Sequence, residues 1–219
     1  MGSGLLELLK TSLLIVGALF PIVNPFGSAP IFLTLTQGLS SRDRAILARQ
    51  ITINGFLLLI GSIFIGTHIL AFFGISLPVV QVGGGMVVIA TGWTLLQRKD
   101  EDLAREEKER SESCAELSRQ AFYPLTLPLT VGPGSISVAI TLGANHPEGQ
   151  RMGWPLLVAS FIGPALVALT IYLSYRFAEN IARALGDAAM NVILRLSSFI
   201  LLCIGVQILW NGVHSLLRS

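Results

Sequence analysis

The chain has 219 residues, 52% of them hydrophobic and only 13% charged, with a mean hydropathy of +0.69 and a net charge of +2. Soluble domains carry about a quarter charged residues, so this composition excludes an ordinary soluble enzyme and gives no basic face for nucleic acid. The few charges cluster in short stretches, and between them lie apolar runs of roughly twenty residues, enough to cross about 30 Å of hydrocarbon.

In chain order, the N-terminal MGSGLLELLK lacks a basic leader and a small-residue cleavage site, and is read as the start of a retained helix. The first apolar segment, 5–36, is too long for one straight span. It is interrupted by FPIVNPFGSAPIF at 20–32, so two half-helices are expected. The second segment is 51–73. The third, 78–96, contains QVGGGMVV, read as a close helix-packing surface, and Trp93 as an interface anchor. A charged linker, 97–120, precedes the fourth segment, 122–143, which carries a second break in LPLTVGPGSISVAI. The fifth segment is 154–175 and the sixth 191–213, with Trp210 as an anchor. The predicted fold is all-α: one polytopic membrane domain, 1–219, of six transmembrane helices, the first and fourth of them discontinuous.

Lysine and arginine set orientation. Twelve of the fifteen fall in or beside the connections after segments one, three and five. Only Lys10, Arg151 and Arg218 lie on the other side. The linker is therefore expected in the cytoplasm and both termini in the periplasm. Cys114 in the linker and Cys203 in an apolar segment are poorly placed for a disulfide.

Aligning Ser28 with Ser135 lays SAPIFLTLT on SISVAITLG and NPFG against GPG, with QVGGGMVVI loosely matching RLSSFILLC. Each half, 1–96 and 121–219, holds three spans, so the halves enter the membrane from opposite sides: a 3+3 inverted repeat, as in many secondary transporters. Lipid cannot satisfy a free N–H or C=O, so a broken helix persists only beside protein or a water-filled cavity. The pair FPIVNPFGSAP and YPLTLPLTVGPGSI, with six spans and a charged central loop, resembles the MarC family of bacterial inner-membrane proteins, which includes small neutral amino-acid transporters. The resemblance implies a substrate site formed by the two broken helices, with Asn24, Pro25 and Gly27 at one break and Gly132, Pro133 and Gly134 at the other.

Residue chemistry agrees with such a site. Pro30 suits the first turn of a helix, so Ser28 is the expected N-cap of the second half-helix, followed by Ala29, Pro30 and Ile31. Ser135 or Ser137 is the matching cap or ligand in the other half. Both half-helices are expected to present spare N–H donors and partial positive charge to a carboxylate, and the preceding carbonyl ends to face an ammonium. The expected partner is a small zwitterionic amino acid of the glycine, alanine or serine type, alongside membrane lipid. No Asp or Glu lies between Thr11 and Thr36 or within segments two to six, so H⁺ and Na⁺ both stay open as coupling ions, as does a homo-oligomer. Asn54 and Gln207 are read as cavity-lining or interhelical, His68 as peripheral and Arg195 as snorkelling. No catalytic residue, metal site or cofactor is expected. An exporter of other small metabolites or drugs, a channel and a non-transporting sensor or scaffold remain as alternatives.

The charge bias makes a direct prediction. In intact cells an impermeant maleimide should miss Cys114 and label it only after permeabilisation; labelling beforehand would reverse the topology.

Overall fold

The computed structural model describes residues 2–36, 39–97, 121–144 and 153–218. These are almost wholly helical, with no strand among them. The rest of the charged linker beyond Gln97, with Cys114, lies outside the described residues, as do His146 and Arg151.

The first span is broken as expected, into α1 (Gly2–Val23) and α2 (Pro25–Leu35). Helix α3 (Ser41–Phe72) begins ten residues before the apolar segment, because Ser40 caps it: its hydroxyl oxygen accepts the Asp43 N–H at 3.2 Å. It stops at Gly74, whose φ of +67° suits the left-handed end of a helix. Helix α4 (Leu77–Gln97) follows.

The fourth segment is also discontinuous, as expected. It consists of α5 (Ala121–Thr130), wound as a π-helix, and α6 (Pro133–Ala144). In α5, Pro124 and Pro128 contribute no N–H. The Thr126 and Thr130 hydroxyls supplement the ladder, donating to the carbonyls of Ala121 at 2.7 Å and Leu125 at 2.8 Å, each five residues back. Helix α7 (Trp154–Arg176) and helix α8 (Ala178–Arg218), bent at Gly186, complete the chain. Among the described residues, five helical stretches are long and apolar enough to cross a membrane: Gly4–Leu33, Ser41–Phe72, Leu77–Gln97, Trp154–Arg176 and Val192–Arg218.

Helix α1 packs on α7; α3 packs on α5, α6 and α7; α4 packs on α6 and, over the largest interface, on α8; and α2 packs on α7 and α8. The buried core lies where α1, α2, α3, α5, α6 and α7 meet, around Leu19, Phe32, Ile51, Leu59, Leu125 and Ile171. Large apolar side chains such as Leu13, Leu57 and Phe72 point outward, as a bilayer permits.

The α4–α8 crossing is made by glycine. A Cβ on Gly85 would stand 2.6 Å from the Leu209 amide nitrogen, and one on Gly92 2.8 Å from that of Leu202. From the other side, a Cβ on Gly205 would stand 2.7 Å from the Ile89 amide nitrogen, and one on Gly212 2.8 Å from that of Val82. Without a hydrophobic force between helices in lipid, such close approach is what gives dispersion its full value. The packing role expected for QVGGGMVV is thus met by Gly84, under Ser137, and Gly85, but not by Gly83, which has open space around it.

Those neighbours predict opposite outcomes within one motif. Gly85→Ala must push α8 away and should cost about 1–3 kcal/mol, the usual penalty for overpacking. Gly83→Ala should be neutral or slightly stabilising. Thermal unfolding in detergent reads both; equal effects would show that the crossing is not glycine-dependent.

Candidate functional site

The first break is made by one residue. Asn24 has φ of +47°, the only non-glycine positive φ among the described residues, in a region that asparagine tolerates better than most side chains. Its Oδ1 accepts the Gly27 N–H at 3.1 Å, and its carbonyl accepts the Ser28 N–H and the Ser28 hydroxyl, both at 3.0 Å. Asn24 is therefore the N-cap of α2 and Pro25 occupies the first helical position. The expected cap at Ser28 is corrected: the helix starts four residues earlier, and Pro30 sits inside it. Pro25 and Pro30 both satisfy the rule for an N-terminal proline, and the side chain able to turn back at positive φ decides between them. Gly27 follows from the cap, since any Cβ there would overlap the Asn24 amide.

The second break has the same plan with a different first residue. Gly132 precedes Pro133, its carbonyl accepting the Ile136 N–H at 3.1 Å and the Ser135 hydroxyl at 2.9 Å. Superposing the caps puts Pro25 on Pro133 and leaves the two serines one residue out of step. The difference that matters is chemical. Asn24 caps its own helix with a side chain, whereas Gly132 has none. The Gly134 and Ser135 amides in the first turn of α6 thus lack both an intrahelical acceptor and a side-chain cap. The expectation of equal, spare donors at both ends is corrected to one self-capped end and one open end.

Both breaks face one cavity of about 590 Å³, within the range of small-molecule sites. Of the eight residues expected to form the site, Asn24, Gly27, Ser28, Gly132, Pro133, Gly134 and Ser135 line it; Pro25 is buried behind the wall. The opposite wall is α4, through Val87, Val88, Thr91 and Thr94, a contribution that sequence reasoning missed. The signal was present as two threonines three apart in an otherwise apolar helix, TGWT. The cavity extends along Leu35 of α2 and Leu95 of α4. Beyond the breaks in the other direction, α4 is shut against α6: the Ser137 hydroxyl donates to the Val80 carbonyl at 3.1 Å, and Gln81 Nε2 donates to Thr141 Oγ1 at 3.4 Å.

Among the described residues, no ionisable side chain lines the wall. The wall hydroxyls of Ser28, Ser135, Thr91, Thr94 and Thr130 all donate to carbonyls of their own segments, so each offers lone pairs to the cavity. The remaining polar candidates stand apart. Gln207 bonds Asn211 on its own helix at 2.9 Å, His68 and Arg195 are exposed, and Asn54 is half-buried away from the cavity.

The geometry of Asn24 separates its two tasks. Asn24→Gly keeps the positive φ and loses only the cap, a cost of a few tenths of a kcal/mol. Asn24→Ala loses the cap and adds left-handed strain, about 1–2 kcal/mol more. Thermal unfolding of the two variants in detergent should separate them; equal losses would show that the backbone angle is not what the position requires.

The family model described as MarC family integral membrane protein matches residues 9–217. The chain is 32% identical to the membrane protein YvbG of Bacillus subtilis, over 91% of this chain and 92% of the relative. It is 31% identical to the membrane protein MJ1677 of Methanocaldococcus jannaschii, over 95% and 98%. It is 30% identical to the inner membrane protein MarC of Escherichia coli, over 98% and 99%. No solved structure matches it. The chain belongs to the MarC family of integral membrane proteins.

Proposed function

We propose that this protein is a secondary carrier for small neutral amino acids, of the glycine, alanine or serine type, bound between the two helix breaks. The observation that carries this reading is the open N-terminus of α6 facing a cavity with no ionisable wall residue among the described residues. Two unengaged amides and the positive end of a helix suit a carboxylate. Hydroxyl lone pairs from Ser28 and Thr130 suit an ammonium. A zwitterion small enough to reach both needs no charged side chain to hold it.

The helix contacts support a 3+3 inverted repeat with six membrane passages. Exchanging α1–α2 with α5–α6, α3 with α7, and α4 with α8 maps the observed interfaces onto one another. The α1–α7 contact becomes α3–α5, the α2–α7 contact becomes α3–α6, and the α4–α6 contact becomes α2–α8. The α3–α7 and α4–α8 contacts map onto themselves. With the lysine and arginine bias, the protein is a multi-pass inner-membrane protein with periplasmic termini. The cavity, bounded by Leu35 and Leu95, then opens to the cytoplasm and the α4–α6 seam closes the periplasmic side. A seam closed on one side while the other is open favours a carrier over a channel.

The reading is tested by uptake. Proteoliposomes should take up labelled glycine or alanine saturably, and the corresponding decarboxylated amine should not compete. Gly132→Asn supplies the missing side-chain cap and should act in opposite directions on two readouts. It should leave thermal stability unchanged or raise it by a few tenths of a kcal/mol, while weakening uptake by occupying the amides meant for the carboxylate. Equal competition by the amine, or undiminished uptake by Gly132→Asn, would sink the assignment.

A further inference from the structure

The cavity is far larger than a small amino acid. Glycine and alanine have no more heavy atoms than benzene, which a cavity of about 150 Å³ accommodates, whereas this one holds about 590 Å³. Its polar groups gather at the two breaks, in Asn24, Ser28, Thr130 and the turn from Gly132 to Ser135. The remaining wall is apolar apart from Thr91 and Thr94, whose hydroxyl protons go to carbonyls of their own helix.

Contacts along α4 give the register of that apolar part. Gln81 reaches Thr141, Gly84 lies under Ser137, and Val88 presses on Gly134. Helix α4 therefore passes the open end of α6 at Val88, and Leu95 stands two turns, or about 10 Å, further along. Ile31 and Leu35 of α2 and Leu201 of α8 complete the wall. Together these side chains make an apolar groove that starts beside the amides of α6 and runs to the cavity mouth.

The groove lies between surfaces that carriage would bring together. On the closed side α4 and α6 touch so closely that a Cβ on Gly84 would stand 2.6 Å from that of Ser137. On the repeat described above, the mouth closes in the same way, with α2 meeting α8. A side chain lying along Ile31, Leu35 and Leu201 stands in the way of that closure.

We propose that the groove binds the apolar side chain of a larger neutral amino acid, of the leucine or methionine type, and that such a ligand binds tightly but props the mouth open. Small substrates are then selected at closure and not at binding. The proposal rests on the carboxylate site at the start of α6 described under the carrier reading.

Thermal stabilisation in lipid nanodiscs reads binding without transport. Leucine should act at a concentration at least about tenfold below that needed for glycine, since each buried methylene strengthens binding about fourfold. Isopentylamine, which keeps the side chain of leucine and lacks its carboxylate, should act far more weakly. In proteoliposomes leucine should inhibit glycine uptake competitively. Labelled leucine itself should enter about ten- to a hundredfold more slowly than glycine, as overpacking of a closed seam implies. Leu95→Ala should weaken leucine binding several-fold more than glycine binding, and taking the ratio cancels any general loss of stability. Leucine binding no tighter than glycine, equal binding by the amine, leucine carried as fast as glycine, or a ratio untouched by Leu95→Ala would each overturn the proposal. A wild type that carries glycine but treats leucine no differently leaves the carrier reading intact and removes the groove; one that binds neither removes both.

Discussion

A backbone N–H or C=O left without a partner in hydrocarbon costs several kcal/mol, and the structure is organised around the places where this chain accepts that risk. Each interruption is repaired by a nearby group. Asn24 turns its own amide back onto Gly27. The threonines of α5 reach carbonyls five residues back. Arg44 donates to the carbonyls of Thr36 and Leu39 beyond the end of α2. The exception is the start of α6, where Gly132 supplies a carbonyl but no side chain. An open end is tolerable there because it faces a cavity, where water or a ligand can complete it. The functional reading follows from the one repair that is missing.

The rest of the fold serves to keep that cavity shaped. Glycines let α4 and α8 approach to backbone contact, so α4 can be a firm wall for the cavity over one half of its length. Over the other half it is shut against α6, with Gly84 under Ser137. The same device fits α6 to α3, where Gly143 lies against the Ile63 carbonyl and Gly66 against Ile140. Removing a side chain costs nothing in lipid-excluded space and lets dispersion act at short range. The price is low tolerance, since a methyl group at Gly85 or Gly92 meets main chain that cannot move aside.

The two breaks were legible in the sequence because proline, glycine and asparagine inside an apolar run have few uses in lipid. Their chemistry was less so. Two prolines, Pro25 and Pro30, satisfy the same N-terminal rule, and the choice rests on a φ angle that only the folded turn reveals. The fourth segment has the composition of a span, yet α5 winds with bonds to residues five back, which depend on hydroxyl geometry rather than hydropathy. Gly83 and Gly85 are alike in sequence and differ only in what faces them. Tyr175 gave no local signal at all. It lies near the end of an apolar segment, and its contacts with Phe32 and Thr130 join α7 to α2 and α5, helices that are distant in the chain.

On the carrier reading, and with the inverted repeat proposed beside it, the exchange of the two halves says what must move. The α4–α6 seam, closed by Ser137 on Val80 and Gln81 on Thr141, corresponds to α8 against α2, the contact beside the open cavity. Alternating access then exchanges the two: α2 closes on α8 while α6 parts from α4. Among the described residues neither seam contains an ion pair, so opening one exposes hydroxyls and amides that water satisfies at small net cost. The Arg44–Glu179 pair instead holds α2 to the corner between α7 and α8. Closure of the open side therefore requires α8 beyond Gly186 to swing toward α2, with the positive-φ glycine as its hinge.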